Sequence, residues 1–446
     1  MTGRCTAIDL GGPRLIDVEA SSECRLVWWP DGLPTGRWTG VASSRLGRQF
    51  EARQSWFAAL QSLCRAMDAA NDWLVAVDAT AAEQFVRRAA ELFHRNVLSV
   101  DVCQQPNRGL EAWLRRVSSP RPNDRNGAVC QAYVGPPIGT RLRLDRQEDV
   151  SVPPARDRVL VLLADLLWVL HIRPGGHIER LVRRRLADPA TPPASVIIAV
   201  GKGLVDRPLS DALLRLGAVP WQPESSTCLG PVLGERAQLP TVVPSLPHLV
   251  PWPYLIHTTR RCDGAWPDQE ETDYLDDLIL DRPAADHSPY ATLERIVRQR
   301  KILASDRVIR GSAEVVSFTS AAPDELLRMR IYRPHRRRWD FQPYGLCIRR
   351  DWLAQRGTRP VYYGDERLWQ RLPPTERPFF QRRRSPGTGR RKPLLWTVER
   401  EWRHVGDVDL SYLPPEAAWL FVPTDAEAHQ LGAISPWPVG KLAPAD

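Results

Sequence analysis

Three residues stand out for the chemistry their surroundings permit. His257 lies near the end of an apolar run, Tyr254 to Thr258, that reads as a strand delivering the histidine and two threonines to its tip. Glu399 and Glu401 sit two apart in the run Leu394 to Arg403, which reads as the longest strand of the chain. Period-two spacing puts Trp396, Val398, Arg400 and Trp402 on one mostly apolar face, and Thr397, Glu399, Glu401 and Arg403 on the other. Two carboxylates side by side resist ionising together, which raises one of them towards a value useful for proton transfer. The same pattern also fits a solvated strand face with Arg403 as a salt-bridge neighbour, and His257 also fits a hydrogen-bonded histidine at a strand end. Arg260 either binds a pyrophosphate or pairs with the stretch Asp268 to Asp286, which holds eight carboxylates and one arginine.

The elements around these residues alternate without a repeat. A helix over Tyr290 to Arg300 separates the His257 strand from a strand at Glu314 to Thr319. Short strands follow at Tyr344 to Ile348 and Pro360 to Tyr363, with a helix near Trp352, then Ala418 to Val422 and a last helix over Asp425 to Gln430. Residues 251–446 are therefore expected to form an α+β domain.

The first half has a different rhythm. A helix over Phe50 to Asn71, a strand at Trp73 to Asp78, a helix over Ala81 to Arg95 and a strand at Val97 to Val102 give the βαβ alternation of a parallel sheet. The apolar stretch Val159 to Ile172 reads as two buried strands broken near Asp165. A helix from His177 to Leu186, a strand at Ser195 to Val200, a helix over Leu209 to Leu216 and a strand around Ala218 to Trp221 complete a Rossmann-like α/β unit over about 50–222. Residues 1–222 are thus expected to be an α/β domain with irregular N-terminal strands. The proline-rich stretch 223–250 is the expected linker.

Two glycine turns lie where strands give way to helices: Gly175-Gly176, and Gly201-Lys202-Gly203. Such turns let a phosphate approach backbone N–H groups at a helix start. Neither is a GxGxxG or Walker A sequence, and a glycine there also fits a plain turn.

Charge is unevenly placed. The chain carries a net +9, yet residues 331–400 alone hold 18 Lys or Arg against 6 Asp or Glu, which leaves the remainder slightly acidic. The clusters Arg336-Arg337-Arg338, Arg382-Arg383-Arg384 and Arg390-Arg391-Lys392 make 331–392 a basic insertion. They suit contact with phosphates of a nucleic acid, or equally a solvated basic loop. With 43% hydrophobic and 25% charged residues, the chain has the composition of a soluble globular protein. No apolar leader follows Met1, and Val159 to Ile172 is too short to span a membrane. Eight scattered cysteines include no CxxC pair, and nine histidines show no HxH or HxxxH spacing. A reducing cytoplasm and no metal site are the expectation, and nothing specifies the oligomeric state.

Resemblances extend this reading. The stretch from His257-Thr-Thr-Arg260 through Val-Val-Ser-Phe-Thr-Ser320, Pro-Tyr-Gly-Leu-Cys-Ile and Arg-Pro-Val-Tyr-Tyr-Gly to Glu399-Arg-Glu401-Trp resembles the AbiGi-type domains of abortive phage resistance. More distantly, it resembles the ADP-ribosyltransferase superfamily, including DarT-like DNA-modifying toxins. The resemblance implies an ADP-ribosyltransferase-like C-terminal fold that uses NAD. His257 would bond the nicotinamide-side ribose, Thr258, Thr259, Arg260, Ser317 and Thr319 would line the cofactor pocket, and Glu401, or else Glu399, would stabilise the oxocarbenium-like transition state. The protein would then be a toxin or anti-phage effector that modifies nucleic acid or protein. The alternative is a non-catalytic nucleotide- or nucleic-acid-binding module in a defence or regulatory assembly. The first half, over about Leu160 to Trp221, is similar to the Rossmann-like nucleotide-sensing domains of the DprA and LOG type. That similarity implies a nucleotide near Gly175, Gly176, Gly201, Lys202 and Gly203.

Overall fold

The computed structural model describes residues 7–9, 25–29, 34–47, 50–102, 112, 113, 115, 129–135, 153–189, 191–223, 249, 251–305, 310–328, 332, 333, 338–382 and 400–442. The chain divides into two compact units, Met1–Gly230 with Gly264–Ala285, and Pro231–Asp263 with Asp286–Asp446. The expected boundary at 251 is therefore crossed once: residues 264–285 pack with the first unit. No helix among the described residues is long and apolar enough to cross a membrane.

The first unit is built on nine strands: β1 (Ala7–Asp9), β2 (Arg25–Trp29), β3 (Arg37–Ser43), β4 (Asp72–Val77), β5 (Asn96–Val102), β6 (Val129–Gly135), β7 (Leu166–His171), β8 (Val196–Ala199) and β9 (Val219–Trp221). They lie in the order β1-β2-β6-β5-β4-β3-β7-β8-β9. The seven from β6 to β9 are parallel, and β1 and β2 extend one edge antiparallel. The order runs one way from β3 to β6 and the other way from β7 to β9, as in doubly wound Rossmann-like sheets.

Helices cover both faces. On one, α1 (Gln54–Ala66) and α2 (Glu83–Leu92) bury Trp56, Phe57, Leu60, Leu63 and Phe85 against Val41, Leu74 and Leu170. The spacing Trp56, Phe57, Leu60, Leu63, Cys64 is the one-faced stripe that makes α1 a core helix. The rings of Trp56, Phe57 and Phe85 meet edge to face at 5.1 to 5.4 Å.

The other face carries α3 (Ala155–Leu163), α4 (His177–Ala187) and α5 (Arg207–Leu214). Here the expectation of two strands over Val159 to Ile172 is corrected: the first half is the end of α3, and only β7 is a strand. Val159, Leu160, Val161 and Leu163 are all buried, so the run has no helical period to read. Gly40 lets α3 approach β3, since a Cβ there would sit 2.8 Å from the Ala164 Cβ.

The acidic stretch supplies a further helix, α6 (Glu271–Ile279), to the α1 and α2 face. It buries Tyr274, Leu275, Leu278 and Ile279 in the same core. Arg88 on α2 grips it through the Asp276 carboxylate, with Nη2 to Oδ2 at 2.7 Å.

The second unit holds a seven-stranded mixed sheet. Its strands are β10 (Tyr254–Thr258), β12 (Val315–Thr319), β15 (Gly345–Arg349), β16 (Arg359–Pro360), β19 (Glu401–Val405), β21 (Ala418–Val422) and β22 (Val439–Lys441), in the order β16-β19-β12-β10-β15-β21-β22. All pairs are antiparallel except β21 with β22. Three two-stranded pairs complete it: β11 (Lys301–Ile302) with β20 (Val408–Asp409), β13 (Tyr332–Arg333) with β14 (Arg338–Trp339), and β17 (Tyr362–Gly364) with β18 (Phe380–Arg382). Helices α7 (Pro289–Gln299), α9 (Arg350–Ala354) and α11 (Asp425–Gly432) pack Leu293, Ile296, Leu353 and Leu431 on one face. α8 (Pro323–Arg328) lies on the other face, and α10 (Glu366–Arg371) stands between β17 and β18 in the chain. The expected strand Leu394 to Arg403 is described only from Glu401. It begins directly after Arg400, whose φ of 44° lies outside the extended region.

Candidate functional site

The first unit's sheet has one topological switch point, between β3 and β7. There the connections leave in opposite directions at the carboxyl ends of the strands, which is where doubly wound sheets take their ligands. After β3, Ser43 and Ser44 turn the chain. The Ser44 N–H donates to His171 O at 2.8 Å, and Ser44 Oγ accepts from Arg173 N at 3.0 Å. Ser43 Oγ accepts from Trp56 Nε1 at 3.1 Å, which pins the start of α1 to the strand end. Arg173 Nη2 donates to Arg45 O at 3.0 Å. After β8, residues 201–204 form a tight loop closed by a bridge between Val200 and Val205. Gly203 faces the first turn of α1: a Cβ there would lie 3.4 Å from Ser55 Oγ.

These contacts gather the loops after β3, β7 and β8 into one place. Arg45, Arg173 and Lys202 are exposed there, and the charges of Arg53 and Arg173 act on His171. Burial, with Arg53 and Arg173 nearby, holds the His171 imidazole below its ordinary value. Its Nδ1 can only donate to Leu204 O, at 3.4 Å, which leaves Nε2 as an acceptor. That buried Nε2 has no hydrogen-bond partner among the described residues.

The two glycine turns differ. At Gly175-Gly176 the place of an anion is taken by the chain itself. Glu179 Oε2 accepts from Gly175 N at 2.7 Å while Oε1 accepts from Arg183 Nε at 2.7 Å. Burial would raise the Glu179 carboxyl, but these donors outweigh it and lower it. The loop Gly201-Lys202-Gly203 is exposed, and Gly201 and Gly203 have φ of 153° and 82°. Among the described residues, none of its three N–H groups donates a hydrogen bond. Of the expected nucleotide residues, Gly201, Lys202 and Gly203 thus form the open cradle, and Gly175 and Gly176 form a filled one.

Sequence reasoning missed Ser43, Ser44, Arg45 and Arg53. Their signal was the strand Arg37–Ser43 running into Arg-Leu-Gly and a helix. Its place as first strand of the parallel sheet would have marked the switch point.

In the second unit, the expected constellation comes apart by register. Ile256 pairs with Thr319, and Thr319 pairs with Glu401, so those three share a face. His257 is one residue on and therefore points to the opposite face, where its ring meets Phe318 at 5.7 Å. Its Nδ1 donates to Ser317 O at 3.0 Å, and burial holds its pKa below the ordinary value. Glu401 is held elsewhere. Arg403 Nε donates to its Oε1 at 2.9 Å, Arg403 Nη2 to its Oε2 at 3.2 Å, and Ser317 Oγ to Oε1 at 3.0 Å. Arg403 is only 2% exposed, and it also donates to Pro378 O, Phe380 O and Gln381 Oε1. Glu401 is thus the counter-charge of a buried arginine that clamps residues 378–381 to the sheet.

The neighbouring candidates have local partners. Thr259 Oγ1 donates to Pro289 O at 2.7 Å, and Thr319 Oγ1 accepts from Ala321 N at 3.0 Å. Arg260 O accepts from Thr292 Oγ1 at 2.7 Å. Thr258 borders a small apolar recess with Leu326, Phe341 and Phe421. Glu399, Arg336, Arg337, Arg383, Arg384, Arg390, Arg391 and Lys392 lie outside the described residues, and Arg338 is described only as part of β14. Arg382 ends β18 near Glu366. Elsewhere in the basic insertion, Arg359 pairs with Glu376 at 2.7 Å and Arg356 stacks over Trp352 at 3.7 Å.

No family model matches the chain, and no curated protein matches it. Among solved structures, DNA processing protein A from Helicobacter pylori, described there for its single-stranded DNA binding mode, is similar at 14% identity and a TM-score of 0.29. The match covers 49% of this chain and 91% of that one. At that score the likeness carries no argument about this chain, and the Rossmann-like assignment rests on strand order and direction.

Proposed function

We propose that this chain is a nucleotide-binding protein whose ligand phosphate sits over Gly201-Lys202-Gly203 in the crevice between β3 and β7, and that it acts as a sensing or regulatory module. The observation that carries this reading is the convergence of the loops after β3, β7 and β8 at the switch point. That convergence joins free backbone N–H groups to the cations Arg45, Arg173 and Lys202. Successive N–H groups and positive side chains in a concave site suit a phosphate, and the switch point is where doubly wound sheets take such ligands.

The NAD-using ADP-ribosyltransferase reading asks for His257 and Glu401 in one cleft. With the two on opposite faces and both Glu401 oxygens engaged by Arg403, the geometry favours binding in the first unit over transfer in the second. Calorimetric titration of the intact chain with AMP, ADP, ATP, NAD and a single-stranded oligonucleotide tests the proposal. A mononucleotide is expected to bind the wild type and to lose about tenfold or more in affinity in Lys202→Glu. Absence of nucleotide binding, or equal binding by the variant, overturns it. Nicotinamide release from NAD that Glu401→Gln abolishes would restore the transferase reading.

A further inference from the structure

The carboxyl edge of the first sheet carries a charge opposite to that of the phosphate site. β4 ends at Val77, and the next residue, Asp78, is exposed while its N–H donates to Val100 O at 2.8 Å. Register locates it. Gly40 of β3 pairs with Val75 of β4, so the same count onward from that pair leads to Ser43 on one strand and Asp78 on the other. On the far flank of β3, Ser43 pairs with His171 of β7, and Val169 of β7 pairs with Ile198 of β8. β8 then ends at Ala199, just before the Gly201–Gly203 loop. Leu74 and Ala76 of β4 are buried in the core under α1 and α2, so Asp78, two further on, leaves the strand towards that side. The glycine loop lies on the same side, since Gly203 faces Ser55 in the first turn of α1. The turn that carries Asp78 is also braced: Ala79 has a φ of 59°, and Thr80 Oγ1 donates to Val77 O at 2.8 Å. A non-glycine residue in the left-handed region persists only where its surroundings impose it.

From the end of β4 across β3 and β7 to the end of β8 is three strand spacings, or about 14 Å. A carboxylate repels a phosphate but accepts hydrogen bonds from paired hydroxyls. Arg45, which follows β3, comes between the two ends. Hydrogen bonds take up about 3 Å at each end, which leaves about 8 Å between the hydroxyls of a ligand and its outermost phosphate. One phosphate on a ribose is too short for that gap, and two fill it. We propose that the switch point takes a ribonucleotide with at least two phosphates, its sugar hydroxyls on Asp78, its inner phosphate on Arg45 and its outer phosphate on Gly201–Gly203 and Lys202. This rests on the nucleotide-binding reading above and names its ligand class.

Calorimetric titration of the intact chain with ADP, AMP and the 2′,3′-dideoxy form of each, for wild type, Asp78→Ala and Asp78→Asn, tests it. The wild type is expected to prefer ADP over dideoxy-ADP by about tenfold, the size of one hydrogen bond to a charged acceptor. AMP, which does not reach both ends, is expected to show no such preference over its dideoxy form. Asp78→Ala is expected to erase the preference within the ADP pair and to bind dideoxy-ADP as well as the wild type or better. Asp78→Asn, of nearly unchanged size, should lose most of the preference, and thermal melting checks that both variants fold. A hydroxyl preference that survives both variants overturns the assignment. So does equal wild-type binding of ADP and dideoxy-ADP, which leaves the phosphate reading standing. An equal preference in the AMP and ADP pairs overturns the two-phosphate span. If none of the four ligands binds the wild type, the nucleotide-binding reading falls and the assignment falls with it.

Discussion

Arg403 gives two of its five N–H groups to Glu401 and the other three to Pro378, Phe380 and Gln381. No donor is left over, and the Glu401 side chain is only 14% exposed. Such a pair contributes little against an apolar replacement of both partners, but removing one leaves a buried charge alone. Glu401→Ala is expected to cost about 3 kcal/mol in urea denaturation. Combining it with Arg403→Met removes the lone charge but also the bonds to residues 378–381, so the double variant should recover only part of that loss. A cost below about 1 kcal/mol for Glu401→Ala would mean that Glu401 does not balance the buried Arg403 charge.

The bond between Arg88 and Asp276 fastens α6 to α2 across 188 residues of sequence. Arg88→Ala is expected to destabilise the first unit by about 1 to 2 kcal/mol, and a double-mutant cycle with Asp276→Ala should show coupling of similar size. Additive effects would show that α6 is held by Tyr274, Leu275 and Leu278 alone.

His171, His257 and His404 are all held below 6.5 by burial. Their neutral forms are favoured in the folded state, so the unfolded chain takes up protons first as the pH falls. Stability is therefore full above about 6.5 and is lost as the pH drops below it towards the lowered folded-state values. The melting temperature is expected to fall between pH about 7.5 and about 5.5, and His257→Gln should flatten part of that slope. An unchanged slope in the variant would show that His257 does not contribute.

Gly203 holds a φ of 82° beside Ser55. Gly203→Ala is expected to cost about 1 kcal/mol through backbone strain and to weaken nucleotide binding. Lys202→Ala is expected to leave stability within about 0.5 kcal/mol of the wild type, because the side chain is exposed. Equal stability of the two variants would show that the loop tolerates other conformations.

Much of the architecture was legible where local pattern decides it. β10 was expected and found over Tyr254–Thr258, β21 over Ala418–Val422, and the alternation through β4, α2 and β5 marked the parallel sheet. α3 was not legible, because a helix buried along most of its second half carries no polar stripe. The faces of His257 and Glu401 were not legible either. Both lie in one sheet with β12 between their strands, but sharing a face depends on register, and a shift of one residue would reverse the outcome. Ser44 and Arg45 escaped notice because only the strand order brings the ends of β3 and β7 together.

Because α6 comes from residues 264–285, the first unit is not finished when the ribosome has made its last sheet strand at Trp221. Until about sixty more residues emerge, the surfaces of α1 and α2 that receive Tyr274 and Ile279 remain uncovered. A fragment ending at residue 222 would keep those apolar surfaces in water, so an expression boundary there yields a sticky product. One that carries the chain through Ala285 includes the missing helix.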